Sequence, residues 1–507
     1  MSFIPHNQEE TDARELARAL LSALGLPEDH PSFKWAEIAF RAVLDGQSCA
    51  MLKEAPALDL VVGTFDQPET PLVLRGSAPD ALLYLRHMEE LEAGLAKSVL
   101  QLAVKRDEPW SLTAAKDIAA ADHLNVEQAD ALKRLAERSF MILTGGPGTG
   151  KTYTLNSLLK YAVAAGKLSP AQIRLVAPTG RAARRIADGL AALRKQPSFA
   201  DLVEPQTIHS LLYEPEAFDG MQLLVVDESS MVDLMLFNEV IDKLPAGCSL
   251  VLVGDPNQLP SVEVGSVLAD LCESPALLPN KVQLTRQVRS KDAPEIMRFA
   301  ESVLGGQWSE TVDLGAPTPE AVVALVLPAF TALRDKARAG DIEGTMALVD
   351  EVRVLCSHVR GPLGAETLSR LIASELGIRA NPPGPGSLIM VTRNDRRGTG
   401  LSNGDVGVMV GGLVYFRGYV AGFDLNRLPE YASAFATTIH KAQGSEYGHA
   451  VVVLGSSQRE GFLNRQLIYT GITRARKQVT LVADRTDFLA ACAREVPRAS
   501  GLKQRLI

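Results

Sequence analysis

Phe140-Met141-Ile142-Leu143-Thr144-Gly145-Gly146-Pro147-Gly148-Thr149-Gly150-Lys151-Thr152 is the stretch on which the reading of this chain turns. A short apolar run enters a glycine-rich turn, and Leu155, Leu158, Leu159 and Ala162 then recur on one helical face that ends near Gly166. The turn fits GxxxxGK[ST] between a strand and a helix. Its glycines let successive backbone N–H groups converge on phosphate oxygens at a helix N-terminus, where the dipole favours negative charge. Gly145, Gly146, Pro147, Gly148, Thr149 and Gly150 are therefore expected to form a phosphate cradle. Lys151 is expected on the β- and γ-phosphates of a nucleotide, and the Thr152 hydroxyl on Mg²⁺. The plain alternative is a turn that only joins strand to helix.

Outward from this stretch, short β-branched runs alternate with helical spacing, as in a parallel sheet covered on both faces. Strands are expected at Phe140–Thr144, Ile173–Ala177, Leu223–Asp227, Ser249–Gly254, Val352–Cys356, Leu388–Thr392, Ala450–Leu454 and Val479–Ala483. That number suits two α/β domains better than one. Gly- and Pro-rich Asn381 to Ser387, then the Gly-dense stretch from Arg397 to Gly422, suggest a small β insertion in the second. Residues 1 to about 115 read as mostly helical, with Leu16, Leu20, Leu21 and Leu24, and later Leu91, Leu95 and Leu100, at helical spacing.

The Leu223 strand ends in Asp227-Glu228. In P-loop enzymes the first carboxylate of such a pair holds Mg²⁺ and the second orients and deprotonates the attacking water, so Asp227 takes the first role and Glu228 the second. The Ser249 strand ends in Gly254-Asp255 with Gln258 close behind, an amide able to contact both the γ-phosphate and that water.

Composition limits the partners. Lys+Arg 52 against Asp+Glu 60 gives a net charge of −8, which disfavours a chain that grips nucleic acid by bulk charge and leaves room for a local basic track. The 507 residues suggest about three domains at roughly 150 residues each. The 5 cysteines are scattered without a CxxC pair, so neither a disulfide scaffold nor a zinc knuckle is expected. With no basic-then-apolar start and no long apolar run, a cytoplasmic chain with no membrane contact is the expectation.

With Gln258 in place, the sequence resembles superfamily 1 helicases, and within them the RecD family, the alpha subunit of exodeoxyribonuclease V. Leu124 to Gln128 resembles the segment upstream of the P-loop that reads adenine, which implies Gln128 as that contact. Ala177 to Ala183 matches motif Ia and Thr207 to Leu211 matches motif Ib, implying DNA contacts at Pro178, Thr179, Arg181, Thr207 and His209. Leu284 to Arg289 resembles motif IV, whose arginine contacts the γ-phosphate; Arg289 is preferred and Arg286 stays open. Thr438 to Glu446 matches motif V, implying DNA contacts at Thr438, His440 and Lys441 and a nucleotide contact at Glu446. Tyr469 to Ala475 matches motif VI and presents Arg474 to the transferred phosphoryl group.

The resemblance implies two RecA-like motor domains, at 116–285 and 286–507, a helical partner-docking domain at 1–115, and an SH3-like insertion at about 396–434. It implies ATP and Mg²⁺, single-stranded or duplex-end DNA, RecB-like and RecC-like subunits, and 5′→3′ movement in double-strand break repair and recombination. Nuclease activity is expected in a partner. Pro71 to Arg75, Leu83 to Arg86 and Glu89 to Glu92 resemble the docking region, without the tryptophan common there. The interval from His209 to Asp227 leaves little room for the duplex-splitting hairpin of some relatives. Arg174, Arg181, Arg184 and Arg185 concentrate positive charge around motif Ia, although Arg184 and Arg185 could equally solvate a helix. Phe435 and Tyr447 could stack on bases or pack in a core. Rival readings are a stand-alone RecD-like helicase, a non-catalytic ATP-binding assembly subunit, and an RNA helicase.

Overall fold

The computed structural model describes residues 6–166, 168–287, 294–306, 314–379, 381–395, 398–456, 462–496 and 499–507, with side chains from Asp12 onward. Among these residues four sheets form. The largest runs Lys281–Leu284, Phe140–Gly145, Ser249–Gly254, Leu223–Val226, Ile173–Ala177, Gln206–Thr207, with every pairing parallel. Parallel strands need crossovers that cover both faces, and successive side chains point to opposite faces. Phe140 and Ile142 accordingly enter one core while Met141 and Leu143 enter the other.

A second parallel sheet runs Leu314–Gly315, Ala475–Ala483, Tyr447–Leu454, Val352–Cys356, Ala436–Thr438. The same alternation sends Val451 and Val453 to one side and Ala450, Val452 and Leu454 to the other. Phe435 and Tyr447 are buried here, Phe435 edge-to-face with Phe330 and Tyr447 beneath the Arg353 guanidinium, so core packing accounts for both.

The run at Leu388 departs from expectation. Leu388–Val391 lies in an antiparallel sheet ordered Phe423–Asp424, Leu413–Phe416, Val406–Val410, Leu388–Val391, Tyr431–Ser433. An apolar run of four does not distinguish a strand of a parallel sheet from a doubly covered strand of a small antiparallel one. Leu388 and Met390 face the larger core while Ile389 and Val391 face a small one of their own.

The N-terminal region also corrects the helical expectation. Helices His6–Ala23, Phe33–Leu44 and Arg86–Leu102 accompany a four-stranded sheet ordered Ala50–Leu52, Ala81–Leu85, Leu72–Arg75, Val62–Gly63. Its strands are runs of two to five residues, too short to register as a period beside the longer helices. The helix Leu112–Ala121 runs across residue 115.

Helix Arg86–Leu102 carries Glu89 and Glu92 inward, both essentially without solvent exposure. Glu92 accepts from Ser48, from Tyr84 Oη at 3.0 Å, from Ser500 Oγ at 2.9 Å and from Arg505 Nε at 3.4 Å. Glu89 pairs with Arg75 and, at 3.0 Å, with Arg505. Leu502 and Leu506 follow into the core of the six-stranded sheet, so the C-terminal segment ties the N-terminal region to that sheet. Residues that resemble a docking motif are thus engaged inside the chain. Burial pushes the Cys49 thiol beside this cluster up to about 12.

Truncating Glu92 would remove one of the two carboxylates that compensate the buried Arg505 and would leave Tyr84 and two serines without their acceptor. Glu92→Ala should cost roughly 3–5 kcal/mol of stability. Lys503→Ala, which removes only the exposed pair with Glu273, should cost less than about 1 kcal/mol. Urea unfolding followed by circular dichroism compares the two.

Candidate active site

The phosphate loop, Asp227-Glu228 and the Asp255 to Gln258 segment each follow the C-terminal end of a strand of the first parallel sheet, whereas Gln128 lies in helix Val126–Glu137 and Glu446 and Arg474 stand just before strands of the second. Gly145 ends the Phe140 strand, and helix Lys151–Ala164 starts from Gly150 at φ 90°, with Gly148 at φ 76°. These left-handed positions are open to glycine at little cost. At Gly145 a Cβ would meet Thr149 Oγ1 at 2.6 Å and the Leu284 carbonyl at 2.9 Å, so this backbone approach also requires glycine. Lys151 Nζ donates to the carbonyls of Gly145 at 2.6 Å and Gly146 at 3.1 Å. Thr152 sits one residue into the helix, its methyl against Gly189, where a Cβ would come within 2.7 Å.

Asp227 and Glu228 follow the strand Leu223–Val226. Glu228 has φ 50° and ψ 39°, a left-handed conformation uncommon for a residue with a side chain, and its N–H donates to Asp227 Oδ1 at 2.9 Å. Burial, and then the neighbouring Glu228, push the Asp227 carboxyl above the ordinary range, against the pull of Arg185 and Lys151. Asp255, buried at the end of the Ser249 strand, accepts from Tyr469 Oη at 2.8 Å; burial also raises its carboxyl.

Across the cleft, the second parallel sheet supplies Arg474, 2% exposed. Its guanidinium donates to the carbonyls of Thr470 at 3.1 Å and Ser445 at 3.3 Å, to Thr473 Oγ1 at 3.4 Å and to Gln258 Oε1 at 2.9 Å. Thr470 Oγ1 accepts from Leu259 N at 2.9 Å, and Gln443 Nε2 donates to Leu259 O at 3.1 Å. The structure therefore brings Lys151, Asp227, Glu228, Gln258, Glu446 and Arg474 to one cleft. Arg289 lies outside the described residues. Arg286 is exposed, its backbone N–H donating to Glu127 at 3.2 Å.

Gln128 forms a capping box with Asn125, accepting from Asn125 N at 3.1 Å, while its Nε2 is buried without a partner. A buried amide donor left unpaired is costly unless a ligand acceptor meets it. Lys151 and Arg474 likewise donate to neutral oxygens and form no ion pair among the described residues. A buried unpaired donor for a base and two cations that form no ion pair among the described residues are what a base carrying a polyphosphate would use, so the residues present fit ATP. Thr152 and Asp227 would hold Mg²⁺, which supplies charge neutralisation at phosphate oxygens.

The expected DNA contacts divide. His209 and Lys441 are exposed. Thr179 and Thr207 cap helices Gly180–Arg194 and Ile208–Leu212, accepting from Ala182 N at 3.2 Å and Ser210 N at 3.1 Å. Pro178 precedes the first of these caps, and Thr438 is buried at a strand end, accepting from Lys441 N at 3.3 Å. Arg181 reaches Ser445 and, at 3.3 Å, Tyr447 Oη; Arg184 reaches Asp405 at 3.2 Å and Tyr419 Oη at 3.2 Å. Arg174 bonds the Ala171 carbonyl at 2.6 Å near the start of its strand, remote from motif Ia at the other end. Between His209 and Asp227 stand a short helix, a 3-10 turn Pro215–Phe218 and the strand itself, with no hairpin.

Nothing local in the sequence gives Tyr469 or Asp255 a role, and Arg185 stays open. Arg185 Nη2 lies 2.7 Å from Glu446 and Nη1 3.4 Å from Glu228. The spacing of Arg181, Arg184 and Arg185, at i, i+3 and i+4, was the available signal.

His440 packs toward Phe462, ring centroids 6.4 Å apart, and burial pushes its imidazole down to about 4. An unfolded histidine titrates near 6.5. The unfolded chain then binds the proton more readily between these values, so the stability held above about pH 6.5 is lost as pH falls toward 4. His440 should remain neutral at pH 7 and give a ¹H–¹⁵N imidazole spectrum that does not titrate above about pH 5, assigned by its absence from His440→Gln.

A family model described as an AAA domain matches residues 123–317, and one described as a UvrD-like helicase C-terminal domain matches residues 433–482. The RecBCD enzyme subunit RecD of Mycolicibacterium smegmatis is 36% identical over 423 residues, covering 75% of this chain and 74% of its own. The ATP-dependent RecD2 DNA helicase of Deinococcus radiodurans is 28% identical over 478 residues, covering 90% of this chain and 63% of its own. A crystal structure of Bacteroides Pif1 bound to single-stranded DNA superposes with a TM-score of 0.44 at 18% identity, covering 72% of this chain and 93% of that one. With the RecD subunit of Mycolicibacterium smegmatis 36% identical over about three quarters of both chains, and two helicase-type domain models matched in order, the chain belongs to the RecD family of superfamily 1 DNA helicases.

Proposed function

We propose that the chain is an ATP-driven 5′→3′ single-stranded DNA translocase and helicase, acting as the alpha subunit of a RecBCD-like exodeoxyribonuclease V complex in double-strand break repair and recombination. The observation that carries the motor reading is the 2.9 Å contact from Arg474 to Gln258 across the cleft. A γ-phosphate held by Lys151 on one side and Arg474 on the other joins both sides. Hydrolysis removes that shared group, and the cleft opens.

The steps follow from the residues. Gln128 orients the base, the loop from Gly145 to Thr152 binds the phosphates, and Glu228 takes the proton of the attacking water. Arg474 stabilises the charge that develops, with Gln258 between it and Asp255 reporting the γ-phosphate. Loops carrying Pro178, His209, His440 and Lys441 meet the strand, and Arg289 contacts the γ-phosphate. The motor domains divide near residue 286, residues 1–115 form a partner-docking domain, and the antiparallel sheet is an SH3-like insertion beside the DNA path. RecB-like and RecC-like subunits supply nuclease activity. Polarity is carried over from the resemblance.

One observation favours a second reading, a helicase that works alone: Glu89 and Glu92, part of the docking resemblance, are engaged within the chain. Phosphate release by the purified full chain should rise with single-stranded DNA and not with RNA. Glu228→Gln should lower kcat by roughly 10²- to 10⁴-fold, and a Lys151→Gln variant with full turnover would remove the assigned site. Displacement of streptavidin from a 3′ end and not from a 5′ end reads the polarity. Processive unwinding by the isolated chain selects the second reading.

A further inference from the structure

Helix Gly180–Arg194 lines the cleft with Arg181, Arg184 and Arg185 on one face. Arg181 and Arg184 make their hydrogen bonds to groups on the far side. Arg185 also holds a group on its own side. Its Nη2 lies 2.7 Å from Glu446 Oε1, beyond the cleft, and its Nη1 lies 3.4 Å from Glu228 Oε1, at the end of the strand beneath it. One planar guanidinium can serve two carboxylates only while their separation is fixed. Opening of the cleft must lengthen one of the two contacts.

The backbone around each carboxylate makes this sensitive. Glu228 sits in a left-handed conformation between a strand and a 3-10 turn, and its side chain is 10% exposed. Ser229 Oγ anchors the next residue to the Val253 carbonyl at 2.9 Å, so the carboxylate turns mainly by its own side-chain torsions. Glu446 follows the loop that carries His440 and Lys441. That loop approaches the same helix closely, since a Cβ at Gly444 would lie 3.4 Å from Ala182 Cβ. A strand that displaces this loop displaces Glu446 relative to Arg185.

We propose that Arg185 is a positioning residue that makes the orientation of Glu228 depend on where the Glu446 loop stands, coupling water activation to the state of the cleft and to strand binding. This rests on the ATP-driven translocase reading above.

The test uses the full chain and the variants Arg185→Ala, Arg185→Lys, Glu446→Ala and the Arg185→Ala/Glu446→Ala double. ATP turnover is measured with and without saturating oligo(dT), and nucleotide affinity with a fluorescent ADP. Arg185→Ala should lower DNA-stimulated kcat by about tenfold or more, bringing the ratio with and without DNA close to one, and change ADP affinity by less than about threefold. Arg185→Lys restores the charge without the two-ended geometry and should recover only part of the stimulation. Glu446→Ala should itself lose stimulation, and the double variant should be no slower than Arg185→Ala, as expected for residues acting as a unit. If Arg185→Ala fails to fold, the lysine and Glu446 variants carry the comparison. Stimulation within twofold of wild type in Arg185→Ala or Glu446→Ala, or losses that multiply in the double variant, would overturn the proposal and leave the translocase reading standing. A wild-type chain that DNA does not stimulate overturns both.

Discussion

Parallel pairing is the constraint on which this structure depends. Strands that all run one way present all their outgoing loops at one edge, which is where open α/β sheets place ligands. Thr144 pairs with Gly254, and Val226 with Leu252. The phosphate loop, the Asp227-Glu228 pair and the Asp255 to Gln258 loop therefore emerge side by side, although the sequence separates them widely. In the second sheet Cys356 pairs with both Thr438 and Val453. Across the cleft from the outgoing loops of the first sheet, the second sheet sets Glu446 and Arg474 just before the paired strand starts Tyr447 and Ala475.

Lys151 and Arg474 at the cleft are held by hydrogen bonds to neutral atoms, of which the Arg474–Gln258 bond crosses it. Arg474 donates to two carbonyls, a hydroxyl and the Gln258 amide, and Lys151 donates to two carbonyls. A buried cation satisfied only by dipoles keeps most of its desolvation cost uncompensated. An anion entering between the two cations offsets that cost on both sides at once.

The sequence made legible what local chemistry specifies. The turn from Gly145 to Thr152 needs glycine where φ is positive, and seven of the eight expected strands lie in the two parallel sheets. Illegible was whatever depends on distant pairing. The four-residue run at Leu388 reads alike in either kind of sheet, and the short N-terminal strands gain their identity only from partners. Thr179 and Thr207 belong to motifs that resemble DNA contacts, yet their hydroxyls cap helices. Asp255 and Tyr469 lie in motif segments of the sequence, but nothing local says that they meet at 2.8 Å.

The net charge of −8 takes on a sharper meaning once the arginines are placed. Arg181 is held by Ser445 and Tyr447, Arg184 by Asp405 and Tyr419, and Arg185 by two glutamates. A phosphate backbone that recruits Arg181 or Arg184 has to displace groups from beyond the cleft. Strand binding and cross-cleft contact then draw on the same helix and oppose one another. A permanently basic groove would hold an anionic strand equally in every state, whereas arginines engaged across the cleft would make any grip on a strand depend on whether the cleft is open or closed. A motor needs that dependence, because affinity that never changes cannot move a strand.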